Sequence, residues 1–178
     1  MHRSFTGLSV IAIAVASLTF AEDPPSRQPL GCIRLDVRTI SDADIEPPRS
    51  RTPRFSAGDT LDLELAVRYL SSDHRPEVFE IRLFTPNGHL YQALVVPTAR
   101  QSDVGKQALW LPDHPFPVAA EVPTVVSTGP PRVLEVTTRW PLAGTAVTTH
   151  SLYGRWRAEA RTPGRPAACA SAQFTLTQ

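Results

Sequence analysis

Acid–base or metal chemistry in this chain would depend on a few widely spaced side chains. After the first 21 residues the sequence holds four histidines, at His74, His89, His114 and His150. None lies three or four residues from another, the spacing that places two metal ligands on one helix face. Only Asp73 beside His74 and Asp113 beside His114 set a carboxylate next to an imidazole. We interpret all four as loop histidines.

Local signatures of catalysis and cofactor binding are absent from the sequence. It contains no G-x-S-x-G elbow, no GxxxxGK(S/T) phosphate loop, and no HExxH, GxGxxG or CxxC. A blue-copper site usually includes a methionine, and Met1 is the only one here. The sequence predicts no catalytic residue, no metal ligand and no cofactor. One alternative stays open, a hydrolase or metal-dependent enzyme whose site combines Asp113, His114 and His150.

Three carboxylates alternate in the polar, proline-rich stretch 41–54, at Asp42, Asp44 and Glu46. Calcium prefers clustered oxygen ligands, so a calcium site is one interpretation. The rest of a coordination loop is missing, and a solvated acidic turn is the simpler interpretation. A calcium- or carbohydrate-binding domain remains a further alternative.

The only cysteines, Cys32 and Cys169, lie near the two ends of the chain that follows residue 21. In an exported protein such a pair predicts a disulfide. Each cysteine is out of phase with the apolar residues of its own strand, Ile33 in one and Phe174 in the other. The alternation therefore predicts a bond at the rim or outer face. Lipidation of Cys32 is disfavoured, because Pro29 stands where a lipobox has an aliphatic residue.

The N-terminus has the pattern of a secretory signal peptide. A short cationic start precedes the uncharged run Leu8–Phe20, and Ala21 is followed by acidic, proline-rich residues. The run has 13 residues, and a transmembrane helix needs about 20. We expect a signal peptide at 1–21, a proline-rich linker at 22–31 and one domain at 32–178. The mature protein would be secreted or periplasmic with no membrane span; an uncleaved anchor is the alternative.

Apolar residues recur with a period of two in six segments. Successive strand side chains point to opposite faces, so this alternation predicts strands of antiparallel sheets with one buried and one wet face. The predicted inward sets are Ile33, Leu35 and Val37; Leu61, Leu63, Leu65, Val67 and Tyr69; Phe79, Ile81 and Leu83; Leu134, Val136, Thr138 and Trp140; Trp156, Ala158 and Ala160; and Phe174 and Leu176.

Turn residues separate these segments. In 85–88 a proline occupies the second turn position and Gly88 the fourth, and 162–166 has similar chemistry. Eighteen prolines oppose long helices, and no amphipathic helix with caps is evident. The sequence predicts an all-β fold, a two-sheet antiparallel sandwich of seven or eight strands.

The proline-rich segment 97–131 does not follow the alternation, and whether it is a loop or contains an edge strand stays open. It includes a small apolar piece, 122–126. Trp110 and Phe116 lie in this segment, either as a plug over an open end of the sandwich or as contact residues for a partner.

Charge excludes some partners. The net charge is +1, so no bulk field favours nucleic acid or an anionic membrane. There are 17 arginines and a single lysine, Lys106. Because the arginines are scattered along most of the predicted strands, the sequence indicates no arginine-based binding site.

Three stretches carry a family resemblance. Residues 56–60 (SAGDT), followed by Leu-x-Leu-x-Leu, resemble the opening of a strand in bacterial immunoglobulin-like and macroglobulin-type β-sandwich domains. Residues 152–160 (LYGRWRAEA), closed by 172–176 (AQFTL), are similar to their late G-x-W hairpin. The resemblance covers about 55–178 and implies an immunoglobulin-like sandwich. The chain lacks both a thioester Cys-Gly-Glu-Gln segment and the paired inter-sheet cysteines of antibody domains, and no catalytic or binding residue carries over.

These observations predict an exported, non-enzymatic binding or accessory module. Its partner would be a protein, a glycan or a component of the cell envelope. The candidate contact residues are Trp110 and Phe116, and the expected disulfide joins Cys32 to Cys169.

The signal pattern makes one testable prediction. Cleavage after Ala21 leaves a mature protein that begins at Glu22. N-terminal sequencing of exported material should find that residue. A mature chain that begins at a lipidated Cys32 would contradict both the cleavage site and the disulfide.

Overall fold

The computed structural model describes residues 31–40, 52–71, 78–99, 108–109 and 115–178. The regular structure of these residues consists of eleven strands and one helical turn. The strands are β1 (Cys32–Thr39), β2 (Arg54–Ser56), β3 (Asp62–Ser71), β4 (Val78–Phe84), β5 (Leu90–Pro97), β6 (Ala108–Leu109), β7 (Val118–Ala119), β8 (Thr124–Ser127), β9 (Arg132–Pro141), β10 (Gly154–Arg161) and β11 (Ala170–Thr177). The helical turn is α1 (Ala146–Thr149).

Nine of these strands form two sheets around one core. The four-stranded sheet has the order β1-β3-β9-β8, and the five-stranded sheet has the order β2-β11-β10-β4-β5. The parallel β2–β11 pair is an exception to the antiparallel pairing within these sheets. In the four-stranded sheet, β1, β3, β9 and β8 correspond to strands A, B, E and D of the immunoglobulin fold. In the five-stranded sheet, β2 corresponds to a second part of strand A, and β11, β10, β4 and β5 correspond to G, F, C and C′. The predicted immunoglobulin-like sandwich is confirmed, although its two sheets hold nine strands in the described residues rather than the predicted seven or eight.

Aromatic side chains fill the space between the sheets. The ring centroids of Trp140, on β9, and Trp156, on β10, lie 5.2 Å apart. Tyr91 meets Trp156 edge-on at 5.3 Å, and Phe174 lies 6.0 Å from Trp140. The Trp156 Nε1–H donates to the Leu152 carbonyl at 2.8 Å, so the buried indole has a hydrogen-bond acceptor. The prediction that both tryptophans are core residues is confirmed.

Two glycines adopt backbone conformations that other residues rarely reach. Gly88 has φ +82° in the β4–β5 hairpin, where its N–H donates to the Thr85 carbonyl at 2.9 Å. Gly154 has φ +128° at the start of β10, and a Cβ there would lie 3.0 Å from Pro86. The glycine of the G-x-W segment therefore lets β10 begin against the hairpin turn.

Three sequence predictions need correction. Ile33 is 52% exposed although the alternation placed it inward, because the β1–β3 register shifts between Cys32 and Arg34. Leu61 precedes β3 and is 73% exposed. No helix was predicted, yet α1 forms one turn, capped by the Thr145 hydroxyl, which accepts from the Val147 N–H at 3.3 Å.

The predicted disulfide between Cys32 and Cys169 is present, with the two Cα atoms 5.4 Å apart. Cys32 begins β1, and Cys169 directly precedes β11, so the bond ties the four-stranded sheet to the five-stranded one. Cys32 is only 8% exposed and belongs to the core cluster. The predicted position at the rim or outer face is therefore wrong, because the register shift after Cys32 turns its side chain inward.

The disulfide leads to a stability prediction. It closes a loop across a sequence separation of 137 residues, so it strongly restricts the unfolded chain. The double variant Cys32→Ser, Cys169→Ser should lower the free energy of unfolding by about 2–5 kcal/mol. Urea denaturation with and without reductant measures it. Equal stability of the oxidised and reduced wild-type protein would contradict the prediction.

Candidate interaction surface

Phe116, one of the two predicted contact residues, is 74% exposed. A side chain with that exposure does not plug the core, so this interpretation is wrong for Phe116. Its exposure agrees with the contact interpretation, which remains a prediction. Trp110, the other predicted contact residue, lies outside the described residues.

Phe116 lies in a segment that passes from the edge of one sheet to the edge of the other. We call residues 115–127 the crossover segment. Near its middle, Glu121 pairs with the end of β5: its N–H donates to the Pro97 carbonyl, and its carbonyl accepts from the Ala99 N–H, each at 2.8 Å. The segment then forms β8, which pairs with β9. It therefore connects the outermost strand of each sheet, β5 and β8.

The crossover segment exposes several large apolar side chains. Phe116 is 74% exposed, Val122 36%, Val125 43% and Val126 46%. We call these four residues the apolar edge. From residue 115 to residue 131 the sequence holds a single charge, at Glu121. Large exposed apolar side chains are candidates for contact with another molecule where they form one surface.

β8 lacks the charges that usually protect an edge strand. It is the last strand of the four-stranded sheet, and its sequence, Thr-Val-Val-Ser, contains no charge and no proline. A register shift between Val125 and Ser127 and the shortness of the strand provide some protection. One side of β8 pairs with β9, and in the described residues its other side has no strand partner. The 97–131 segment, which the sequence left open as a loop or an edge strand, therefore contains an edge strand at Thr124–Ser127.

The described residues bring together no predicted acid–base or metal cluster. His89 and His150 are exposed. His74, Asp113 and His114 lie outside the described residues, as do the possible calcium ligands Asp42, Asp44 and Glu46. Within the described ranges, no group of three or more His, Cys, Asp or Glu could hold a metal ion. Nor do these ranges contain a helix with the length and apolar character needed to cross a membrane.

A network of charges lies on the outer face of the four-stranded sheet. Glu135, on the central strand β9, accepts from Arg68 Nε at 2.6 Å and from Arg38 Nη2 at 2.9 Å. Arg38 Nε also donates to Glu64 at 2.7 Å. Arg38 and Glu135 are buried, so these bonds connect three neighbouring strands at low solvent exposure. The alternation predicted that these residues face outward, but it did not show that they are buried.

The network changes the protonation equilibria of its members. Burial alone would raise the pKa of the Glu135 carboxyl, but the hydrogen bonds from Arg68 and Arg38 outweigh it and hold the pKa below its usual range. For Arg38, burial alone would lower the pKa, and the bonds to Glu64 and Glu135 raise it instead. Both groups are therefore charged at neutral pH, and at the network this face carries paired charges.

Comparisons with known proteins give structural similarities without a matching family. No protein-family model and no curated protein matches the chain. An immunoglobulin-like protein from Pseudomonas aeruginosa is similar over 80% of this chain and 97% of its own, with 13% identity and a TM-score of 0.34. An alkylpurine DNA glycosylase from Pseudomonas fluorescens, bound to DNA containing an abasic site analogue, is similar over 70% of this chain, with 14% identity and a TM-score of 0.38. This chain spans 27% of the glycosylase.

The Glu135 network predicts a pH dependence of stability. The pKa of Glu135 is lower in the folded than in the unfolded protein. Its contribution to the free energy of unfolding is therefore complete above its pKa in the unfolded chain, about 4.3. That contribution is lost as the pH falls through its pKa in the folded protein. Glu135→Gln should cost about 1–3 kcal/mol at pH 7, and the difference from wild type should shrink between about pH 5 and 3. Urea denaturation across this range measures it.

A matched control for this experiment is Glu121→Gln, which changes an exposed glutamate. Its pH profile should run parallel to that of the wild type. If the Glu135→Gln variant shows the same acid-induced loss as the wild type, the network does not contribute in this way.

Proposed function

We propose that this chain is an exported, non-enzymatic binding module that contacts a protein partner through the apolar edge. The observation that carries the proposal is the exposure of Phe116 on the same segment as the uncharged edge strand β8, a segment that is held to both sheets. A rigid sandwich that presents such a segment resembles many folds in which connecting loops carry the binding function.

The pairing of the crossover segment favours a preformed contact surface. Glu121 is held to β5 by two backbone hydrogen bonds, and β8 is held to β9. Several prolines further limit the conformations of the segment. Binding therefore requires little ordering of the chain, which lowers the entropic cost of association.

The free side of β8 suggests how a partner would bind. An extended strand of the partner can pair with the backbone N–H and C=O groups of an edge strand, and pockets for its side chains then provide specificity. Val125 and Val126 are both partly exposed, so each would gain apolar contacts when a strand is added. The bound strand would also cover the uncharged edge, which is otherwise open to unwanted pairing.

Two features support export. The N-terminal pattern is that of a signal peptide, and the Cys32–Cys169 bond is of a kind that forms and persists in oxidising compartments. Secretion or a periplasmic location is therefore part of the proposal. No observation in the described residues favours the enzymatic alternative based on Asp113, His114 and His150.

The proposal predicts which substitutions remove partner binding. Phe116→Ser removes an exposed apolar contact, and Val125→Lys places a charge on the edge strand. Each should weaken binding by about 1 kcal/mol or more and change the free energy of unfolding by less than about 0.5 kcal/mol. The measurement is capture from the native envelope by the wild type and each variant, with quantitative mass spectrometry and thermal melts.

Leu61→Ser is a matched control, because Leu61 is 73% exposed, close to the value for Phe116, but precedes β3. A partner captured by the wild type and the Leu61 variant, but not by the other two, supports the proposal. Equal capture by all four proteins would contradict it, as would a large drop in melting temperature for Phe116→Ser.

A further inference from the structure

The outer face of the five-stranded sheet carries an excess of positive charge. Its outward residues alternate with buried ones such as Phe55, Trp156 and Phe174. Five arginines and two glutamates point outward in the described strands: Arg54, Arg82, Arg155, Arg157, Arg161, Glu80 and Glu159. The outer face of the four-stranded sheet is balanced, with four arginines and four carboxylates: Arg34, Arg38, Arg68, Arg139, Asp36, Asp62, Glu64 and Glu135.

Ion pairs occupy three of the five arginines. Arg82 Nε donates to Glu80 at 2.7 Å. Glu159 accepts from Arg157 at 2.5 Å and from Arg161 at 2.7 Å. The guanidinium of Arg157 also lies 4.4 Å from the centre of the Phe84 ring. The two remaining arginines supply two of the three excess positive charges on this face.

Those two arginines, Arg54 and Arg155, lie in one row across the sheet. Thr175 of β11 pairs with Arg54 of β2 on one side and with Arg155 of β10 on the other. At about 4.8 Å between neighbouring strands, their Cα atoms are roughly 10 Å apart. Both side chains are exposed, and neither makes a hydrogen bond or ion pair with another described residue. We call Arg54, Thr175 and Arg155 the arginine row.

The neighbours of the row are polar rather than acidic. Gln173 lies two residues from Thr175 on the same face and pairs with Arg157. Ser56, at the end of β2, pairs with Thr177. Hydroxyl and amide groups therefore lie between and beside the arginines. The nearest carboxylate on these strands, Glu159, is already neutralised by two arginines.

We propose that the arginine row binds an acidic glycan, a chain of sugar rings that bears carboxylates. A guanidinium matches the geometry of a carboxylate and binds it through two parallel hydrogen bonds. The Thr175 hydroxyl and the Gln173 amide can each donate to and accept from sugar hydroxyls. An acidic glycan presents carboxylates separated by hydroxyl groups. In the row, the two arginines would bind the carboxylates, and the threonine between them would bind a hydroxyl. A poly-glutamate peptide carries carboxylates but no hydroxyls to match the groups between the arginines.

The position of the row makes this site independent of the apolar edge. β2 is the first strand of the five-stranded sheet, and β5, next to the crossover segment, is the last. The protein can therefore bind a glycan on this face while its other side contacts a protein partner. Failure of the proposed function would leave this inference intact.

The test measures binding of the purified protein to a uronic acid oligomer, oligogalacturonate, by calorimetry at low salt. Arg54→Gln and Arg155→Gln should each weaken binding about tenfold, and the double variant should show no measurable binding. Added salt should weaken binding by the wild type, because an exposed site is screened. Arg139→Gln is the matched control, since it removes an exposed arginine from the outer face of the other sheet.

Two further probes identify the ligand class. A neutral oligosaccharide of the same length should bind at least tenfold more weakly than oligogalacturonate. A poly-glutamate peptide of the same charge should also bind more weakly. The proposal is overturned if the wild type does not bind oligogalacturonate, or if Arg139→Gln weakens binding as much as Arg155→Gln. Equal or tighter binding of poly-glutamate would also overturn it and identify the ligand as an acidic peptide.

Discussion

The contact between Trp140 and Trp156 is the interaction on which the rest of the fold depends. The two indoles come from different sheets, and their centroids are 5.2 Å apart. Each is almost fully buried. Side chains on a strand alternate between faces, so placing one indole inward determines which residues of β9 and β10 face solvent. A one-residue slip of either strand would expose an indole and bury charged residues, and both sheets are therefore held in one register.

That register separates the charged residues of the two outer faces from the core. Alternate positions on β3, β9 and β10 carry arginine or glutamate, and most of these pair across or along the strands. Glu135 and Glu159 each accept from two arginines. Buried or half-buried charges need such partners, because an unpaired charge at low exposure is costly. The paired charges stabilise the faces and leave few groups free for a ligand.

The groups left without partners are therefore informative. One set is the apolar edge, where neither sheet covers Phe116 and the β8 valines. Another is the arginine row, where β2 and β10 each bring beside Thr175 one arginine that has no partner among the described residues. Both sets involve an outermost strand, β8 in one sheet and β2 in the other. An outermost strand has a sheet neighbour on one side only, so its side chains have fewer groups with which to pair.

Much of this architecture was predictable from the sequence. Alternation depends only on neighbouring residues, so it located most of β3, β4, β9, β10 and β11 and both buried tryptophans. The turn at Gly88 and the existence of the disulfide were also local or compositional inferences. The features that failed depend on pairing between strands. The shifted register after Cys32, the exposure of Ile33 and the parallel pairing of β2 with β11 have no local signal. The same holds for the arginines, which are scattered in the sequence. Only the alignment of β2, β11 and β10 brings Arg54 and Arg155 into one row. The sequence alone could not show this, because the pairing of β2 with β11 joins Arg54 to Thr175, more than a hundred positions away.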